Sequence, residues 1–183
     1  MNVIETSLPG VLVLEPRCFR DERGFFFETF NLAQMIEIGL PAEWKQDNCS
    51  VSKKNVIRGI HYQIGDAQGK LVRVAAGAVL DVIVDLRKSS PTFGKHTTVE
   101  LSGDGSRMVW IPVGFGHGFS ALTETVALTY KVTEYYSPKA ERCVLWNDSA
   151  LGIDWKVSVE DAIVSVKDQA GRSEEHTSEL QSP

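Results

Sequence analysis

Three cysteines in 183 residues, Cys18, Cys49 and Cys143, are odd in number, widely spaced and without any C-x-x-C. That argues against a disulfide scaffold and against a cysteine-rich zinc site. Long apolar runs are missing as well, and the N-terminus MNVIETSLPG has neither a charged n-region nor an apolar h-region. A soluble, cytoplasmic protein with no membrane partner is expected. Positive charge is not in surplus: 19 Lys and Arg stand against 24 Asp and Glu, a net charge of −5. Nonspecific polyanion binding is disfavoured, no helix-turn-helix is evident, and no nucleic acid partner is expected. Repeats, heptads and linkers are also absent, and 43% hydrophobic with 23% charged residues is ordinary globular composition for one domain.

Residues 172–183, RSEEHTSELQSP, lack aliphatic periodicity. The string also matches the in-frame translation of a common DNA-sequencing adapter, so Glu174, Glu175, His176 and Glu179 are read as additions. One domain over residues 1–171 and a disordered polar tail from 172 are expected.

What is present reads as strands. Short apolar or alternating runs occupy residues 11–14, 25–30, 56–62, 71–74, 78–86, 97–101, 108–111, 119–122 and 126–132, separated by turn-formers such as Gly65, Gly77, Ser89-Ser90-Pro91 and Pro112. This spacing predicts an all-β sandwich or barrel. One helix start is well signalled: Asn31 can cap, Gln34 stands at the third helical position, Leu32, Met35 and Ile36 share a face, and Gly39 then Pro41 end it. In residues 78–86, Ala78, Leu80, Val82, Val84 and Leu86 form one apolar face, so Asp81 and Asp85 lie on the other. That second face points either to solvent or into a polar cavity.

Polar residues concentrate in three places. Gln46-Asp47-Asn48 precedes Arg58-Gly59-Ile60-His61-Tyr62-Gln63 and Gln68-Gly69-Lys70. Alternation sets His61 and Gln63 on one side and Arg58 on the other, unless a bulge at Gly59 brings Arg58 round. The second place is His117 between glycines, and the third is Tyr130, whose parity with Val126, Leu128 and Val132 puts it on an apolar side. Singly, each has an ordinary reading: a structural strand histidine, a solvated lysine, a histidine satisfied in a turn, a buried aromatic. A histidine cage for a metal wants H-x-H with a downstream carboxylate and a third histidine. Here His61 is followed by Tyr62-Gln63, Lys70 stands near the carboxylate's place, His96 is isolated and His176 lies in the tail. No catalytic metal and no cofactor are expected.

Taken together, Asp21-Glu22-Arg23-Gly24-Phe25-Phe26-Phe27-Glu28, Gln46-Asp47-Asn48, Arg58-Gly59-Ile60-His61-Tyr62-Gln63, Gln68-Gly69-Lys70-Leu71-Val72-Arg73, Asp81 to Arg87 with Ser90-Pro91-Thr92-Phe93-Gly94, the Pro112 to Phe119 and Tyr130 to Tyr136 segments and Trp146-Asn147-Asp148 resemble the dTDP-4-dehydrorhamnose 3,5-epimerase family over nearly all of residues 1–171. The resemblance implies a metal-free, cupin-type jelly-roll β-barrel that forms a homodimer and acts on a dTDP-4-keto-6-deoxyhexose in dTDP-rhamnose biosynthesis. It implies His61 as proton-abstracting base, Tyr130 as proton donor on the opposite ring face, Lys70 as the cation beside the enolate and Asp168 as the carboxylate that orients the base. Arg23, Glu28, Gln46, Asp47, Asn48, Arg58, His117, Tyr136, Glu141 and Lys167 match substrate-binding positions.

These residue types suit that chemistry. A C4 ketone acidifies the hydrogens at C3 and C5. A base neutral near pH 7 removes them, fixed positive charge holds the enolate, and inversion takes a proton from the other face. A relative inverting only C3 or only C5, or a noncatalytic sugar-binding cupin, are the alternatives.

Overall fold

A computed structural model describes residues 1–173. The N-terminal half contains β1 (Asn2–Glu5), β2 (Leu12–Glu15), β3 (Cys18–Asp21), β4 (Gly24–Phe27), α1 (Leu32–Glu37), β5 (Gln46–Lys53), β6 (Val56–Gln63), β7 (Lys70–Ala76) and β8 (Ala78–Asp85). There follow β9 (His96–Ser102), β10 (Met108–Ile111), β11 (Phe115–Ala121), β12 (Thr125–Val132), β13 (Glu141–Cys143), β14 (Ile163–Val164) and α2 (Val166–Gln169). One sheet runs in the order β1-β2-β10-β7-β12-β5, the other β13-β6-β11-β8-β9 with β14 joined to β6. The β3–β4 hairpin stands apart as its own two-stranded sheet.

The sheets face one another as a jelly roll. Val72, Val74, Val109, Ile111, Val126 and Leu128 from the first meet Val79, Ile83, Phe115, Phe119 and Leu101 from the second, all buried. The outer faces are covered too. Leu71, Met108 and Trp110 pack under Met35 and Leu40. On the second sheet, Leu80, Val82, Val84, Leu86, Ile60 and Tyr62 pack under Val144, Trp146, Leu151 and Trp155. The apolar face of β8 therefore turns outward beneath the C-terminal segment, and Asp81 and Asp85 turn inward, each 0% exposed.

Helix α1 starts where expected, with the Asn31 side chain accepting from Gln34 N at 3.3 Å. The polar run of β5 is an additional strand, paired with β12 along its whole length. Its half-buried Gln46, Asn48 and Ser50 alternate with exposed Asp47, Cys49 and Val51. Chain pairing also runs past the domain limit set at residue 171. Arg172 N donates to Cys143 O at 3.0 Å, Leu145 N donates to Arg172 O at 2.8 Å, and Ser173 Oγ donates to Asp148 Oδ2 at 2.9 Å. Main-chain pairing makes no demand on the side chain, so polar composition carries no sign of it. The rest of the tail, with Glu174, Glu175, His176 and Glu179, lies outside the described residues. No helix among those described is long and apolar enough to cross a membrane.

Candidate active site

The inner face of β6 is set by a bulge. His61 pairs with His117 on β11 while Arg58 pairs with Phe119, so three steps on β6 match two on β11. Gly59 makes this possible: its φ is +115°, and a Cβ there would meet Gly118 Cα at 2.5 Å and His117 O at 2.7 Å. Ile57 and Ile60 consequently share the outer core although three residues apart. Arg58 joins His61 on the inner side, with its Nε 3.0 Å from Ser52 Oγ on β5.

His61 is held from the far end of the chain. Its Nε2 lies 2.6 Å from Asp168 Oδ1, and Asp168 Oδ2 accepts from Gly59 N at 3.2 Å. The capping Ser165 and the parallel β14–β6 pairing fix α2 against β6. Burial pushes the Asp168 carboxyl up, but the hydrogen bond and charge of His61 and the Gly59 N–H outweigh it, and the net shift is downward. Asp168 is therefore an ionised acceptor, Nε2 carries the proton, and the imidazole lone pair is left on Nδ1. The His61 side chain keeps 28% of its surface exposed, against 4% for Asp168.

Lys70 opens β7 between Ile111 and Val132. Burial lowers its ammonium to about 8, partly opposed by the Asp81 and Glu141 carboxylates. Asp81 Oδ1 lies 2.7 Å from His117 Nε2, while its buried Oδ2 has no partner. Tyr130 pairs directly with Asn48 and packs against the inner core. Burial raises its phenol, Arg58 lowers it and Glu141 raises it, with a net upward shift that keeps the proton on. Base and phenol thus stand on different sheets, facing across the interior.

At the edge, Glu141 on β13 forms an ion pair with Lys167 and accepts from Tyr136 Oη at 2.6 Å. Gln46 Nε2 donates to Asn48 Oδ1 at 2.7 Å, and Gln46 Oε1 accepts from Tyr136 N at 3.1 Å. The fold therefore gathers His61, Lys70, Tyr130, Asp168, Gln46, Asn48, Arg58, His117, Tyr136, Glu141 and Lys167. It does not gather three others. Asp47 points to the opposite face of β5 and is paired with Lys131 at 2.8 Å. Arg23 is engaged with Asp21 on the separate hairpin, and Glu28 accepts from Asn31 and Gln34.

Two residues outside the matched catalytic and binding positions join the cluster. Asp81 faces Lys70 and His117; strand parity sets it opposite the apolar face but does not say that the apolar face is the outer one. Cys143 pairs with His61, and its Sγ lies 3.8 Å from Asp168 Oδ1. Burial and the Asp168 charge push that thiol up to about 12. Counting ligands by histidine spacing passes over this grouping, because His61, Cys143 and Asp168 come from separate segments.

A sequence profile of the dTDP-4-dehydrorhamnose 3,5-epimerases matches residues 5–175. The chain belongs to that family. The dTDP-4-dehydrorhamnose 3,5-epimerase of Salmonella typhimurium is 53% identical over 178 residues, which cover 93% of this chain and 97% of the relative. The crystal structure of dTDP-6-deoxy-D-glucose-3,5-epimerase from Legionella pneumophila, in complex with dTDP-4-keto-L-rhamnose, superposes with a TM-score of 0.92 at 44% identity, covering 96% of this chain and 93% of its own. A double mutant of a 3'-monoepimerase from Streptomyces bikiniensis, in complex with dTDP, superposes with a TM-score of 0.88 at 30% identity, over 96% and 89%. The cupin-type jelly roll implied by the motifs is the observed fold, and the chain is an isomerase of the epimerase class. One fold thus carries enzymes that differ in the carbons they invert.

Proposed function

We propose that this enzyme inverts C3 and C5 of dTDP-4-dehydro-6-deoxy-D-glucose to give dTDP-4-dehydro-L-rhamnose. The observation that carries the reading is the His61–Asp168 pair facing Tyr130 across the interior with Lys70 buried between the sheets. His61 takes a proton at Nδ1 from the carbon beside the ketone, and Asp168 stabilises the imidazolium that forms. Lys70, still charged near neutrality, sets its ammonium against the developing enolate oxygen in a site shielded from water. Tyr130 keeps its phenolic proton and delivers it to the opposite ring face. Arg58 and the Tyr136, Glu141 and Lys167 group bind the diphosphate and sugar at the mouth, with Gln46, Asn48 and His117 lining the approach. The chemistry runs through these side chains with no metal ion as electrophile, so prolonged chelation should leave the rate unchanged.

Arg23 and Glu28 belong to the same reading by way of a second copy. The hairpin that carries Arg23 exposes Phe19, Phe25 and Phe26, the last at 67%, an apolar surface that a partner subunit would cover. A homodimer whose hairpins reach the neighbouring site accounts for their distance from His61 in one chain. Asp47 contributes through its main chain, since its side chain is committed to Lys131. A cytoplasmic enzyme is in keeping with three free cysteines.

Incubating enzyme and substrate in deuterated water tests the reaction. Label at both C3 and C5 with inversion at both is expected. Label at one carbon assigns a single-carbon epimerase, and none at either assigns a binding protein. Tyr130→Phe should depress inversion more than label exchange, because it removes proton delivery and leaves abstraction in place.

A further inference from the structure

The proposed mechanism occupies His61 and Asp168 but leaves unused the thiol set beside them. A ring nitrogen of His61, Cys143 Sγ and a carboxylate oxygen of Asp168 lie within 4.8 Å of one another. They are a nitrogen, a sulfur and an oxygen, the donor set that a soft or borderline divalent cation takes. Three such donors with a water in the fourth position make a tetrahedral zinc site. Metal–ligand lengths of roughly 2.0–2.3 Å then require donor atoms roughly 3.3–3.7 Å apart. The sulfur–oxygen separation is 3.8 Å, already close to that. The nitrogen–oxygen contact is 2.6 Å and has to open by somewhat under ~1 Å.

We propose that His61, Cys143 and Asp168 form an inhibitory site for a thiophilic divalent cation, Zn²⁺ or Cd²⁺, superimposed on the base. Charge favours occupation. A thiolate and a carboxylate neutralise the cation with a neutral imidazole as third ligand, and Lys167, which acts electrostatically on the thiol, is itself paired with Glu141. A cavity of about 310 Å³ lined by Cys143, Glu141, Lys167 and Arg172 gives an approach beside the sulfur. Protons balance as follows. The thiol proton leaves to solvent as the metal–sulfur bond forms, and the imidazole proton moves from Nε2 to Nδ1 as the metal takes the Nε2 lone pair. Nδ1 then carries hydrogen where it needs a lone pair, and His61 can no longer accept a proton from substrate. That last step rests on the reading of His61 as the base.

The test titrates the full-length protein with Cd²⁺ and Zn²⁺, following cadmium–thiolate absorbance, proton release and epimerisation in the same samples. One cadmium per chain, one proton released, and at least a tenfold loss of activity reversed by a chelator are expected. A Cys18→Ala/Cys49→Ala double variant should respond like the parent, and Cys143→Ala should lose the thiolate band and keep its activity at saturating metal. No thiolate band in the parent, or a band that survives in Cys143→Ala, overturns the site. A Cys143-dependent band with activity intact upholds the metal site and overturns His61 as the base, which separates failure of the two readings.

Discussion

Asp81 and Asp85 sit four positions apart on one face of β8, and both are wholly buried. Their surroundings differ completely. Asp85 accepts from Arg87 Nε at 2.9 Å and N at 3.0 Å through Oδ1, and from Arg87 Nη2, Ser90 Oγ and Thr92 Oγ1 at 2.6–2.7 Å through Oδ2. Burial would raise this carboxyl, but those bonds overcome it and hold it at about 2. Arg87 also covers Phe115, 4.2 Å from the ring centroid. Asp81 has one partner, His117, and one oxygen with none. The carboxylate that closes the turn is satisfied to the last lone pair, and the one beside His117 and Lys70 is left short. Lys70 shares that condition: an ammonium lowered to about 8 is buried at a cost to folding. Along β8, the short-handed carboxylate stands beside His117 and Lys70, and the fully satisfied one holds the 85–92 loop.

The largest effect expected from this contrast is on His61. His61→Ala should abolish solvent exchange at both carbons, a loss of roughly 10²–10⁴-fold in rate. Exchange at near parental rate would place the base elsewhere and leave the unsatisfied groups without a use.

Lys70→Met sharpens the contrast most, because two observables should move in opposite directions. The rate should fall by roughly 10²–10³-fold while the thermal midpoint at pH 7 rises. The sign follows from the lowered value. Below about 8 the buried ammonium is charged and opposes folding, and that opposition is relieved only as pH climbs from about 8 towards 10.5. In the parent, kcat/KM should decline above about pH 8 as the charge is lost, and Lys70→Met should show no such limb. A variant both slower and less stable would make Lys70 an ordinary structural group.

Asp85→Ala is the converse. It should cost about 3 kcal/mol of stability, read from denaturant midpoints, with kcat/KM of the folded fraction unchanged. The stabilisation it removes is present above the ordinary carboxylate range and is lost in the parent as pH falls towards about 2. A loss of activity without a loss of stability would erase the distinction between the two aspartates.

The smallest effect belongs to the tail. A chain ending at Ser173 should match the full chain in thermal midpoint and kcat/KM. Ending at Gly171 should lower the midpoint slightly, because it removes the Arg172 bonds to Cys143 and Leu145.

Much of this architecture is legible in the sequence where one face of a strand is apolar and the other is not. The inner strands, the Asn31 cap and the Gly59 bulge all follow from local pattern. Pattern fails where both faces of a sheet are covered. The alternation in β8 is real, yet its apolar side lies under Trp146 and Trp155 and not in the sandwich interior. β5 is obscured for a related reason: its inward residues are polar because they line the site, so it lacks the apolar stripe by which a strand is read. Most of the residues that the fold gathers around His61 stand in the family motifs, but the places of Asp81 and Cys143 among them depend on which strands become neighbours. Arg23 and Glu28 match motif positions, on the β3–β4 hairpin and just after it, that one chain does not bring to the site.

The pairing of His61 with Asp168 joins positions 107 residues apart, and it forms only after the last stretch of chain has crossed the outer face of the second sheet. On the proposed reading of His61 as the base, catalytic competence is a certificate of completion. A nascent or clipped polypeptide that lacks the final segment would hold an unoriented imidazole and an uncovered apolar sheet at the same moment. Such a fragment would be inert towards nucleotide sugars and conspicuous to chaperones and proteases, so the assembly step that turns on the chemistry also hides the signal for disposal.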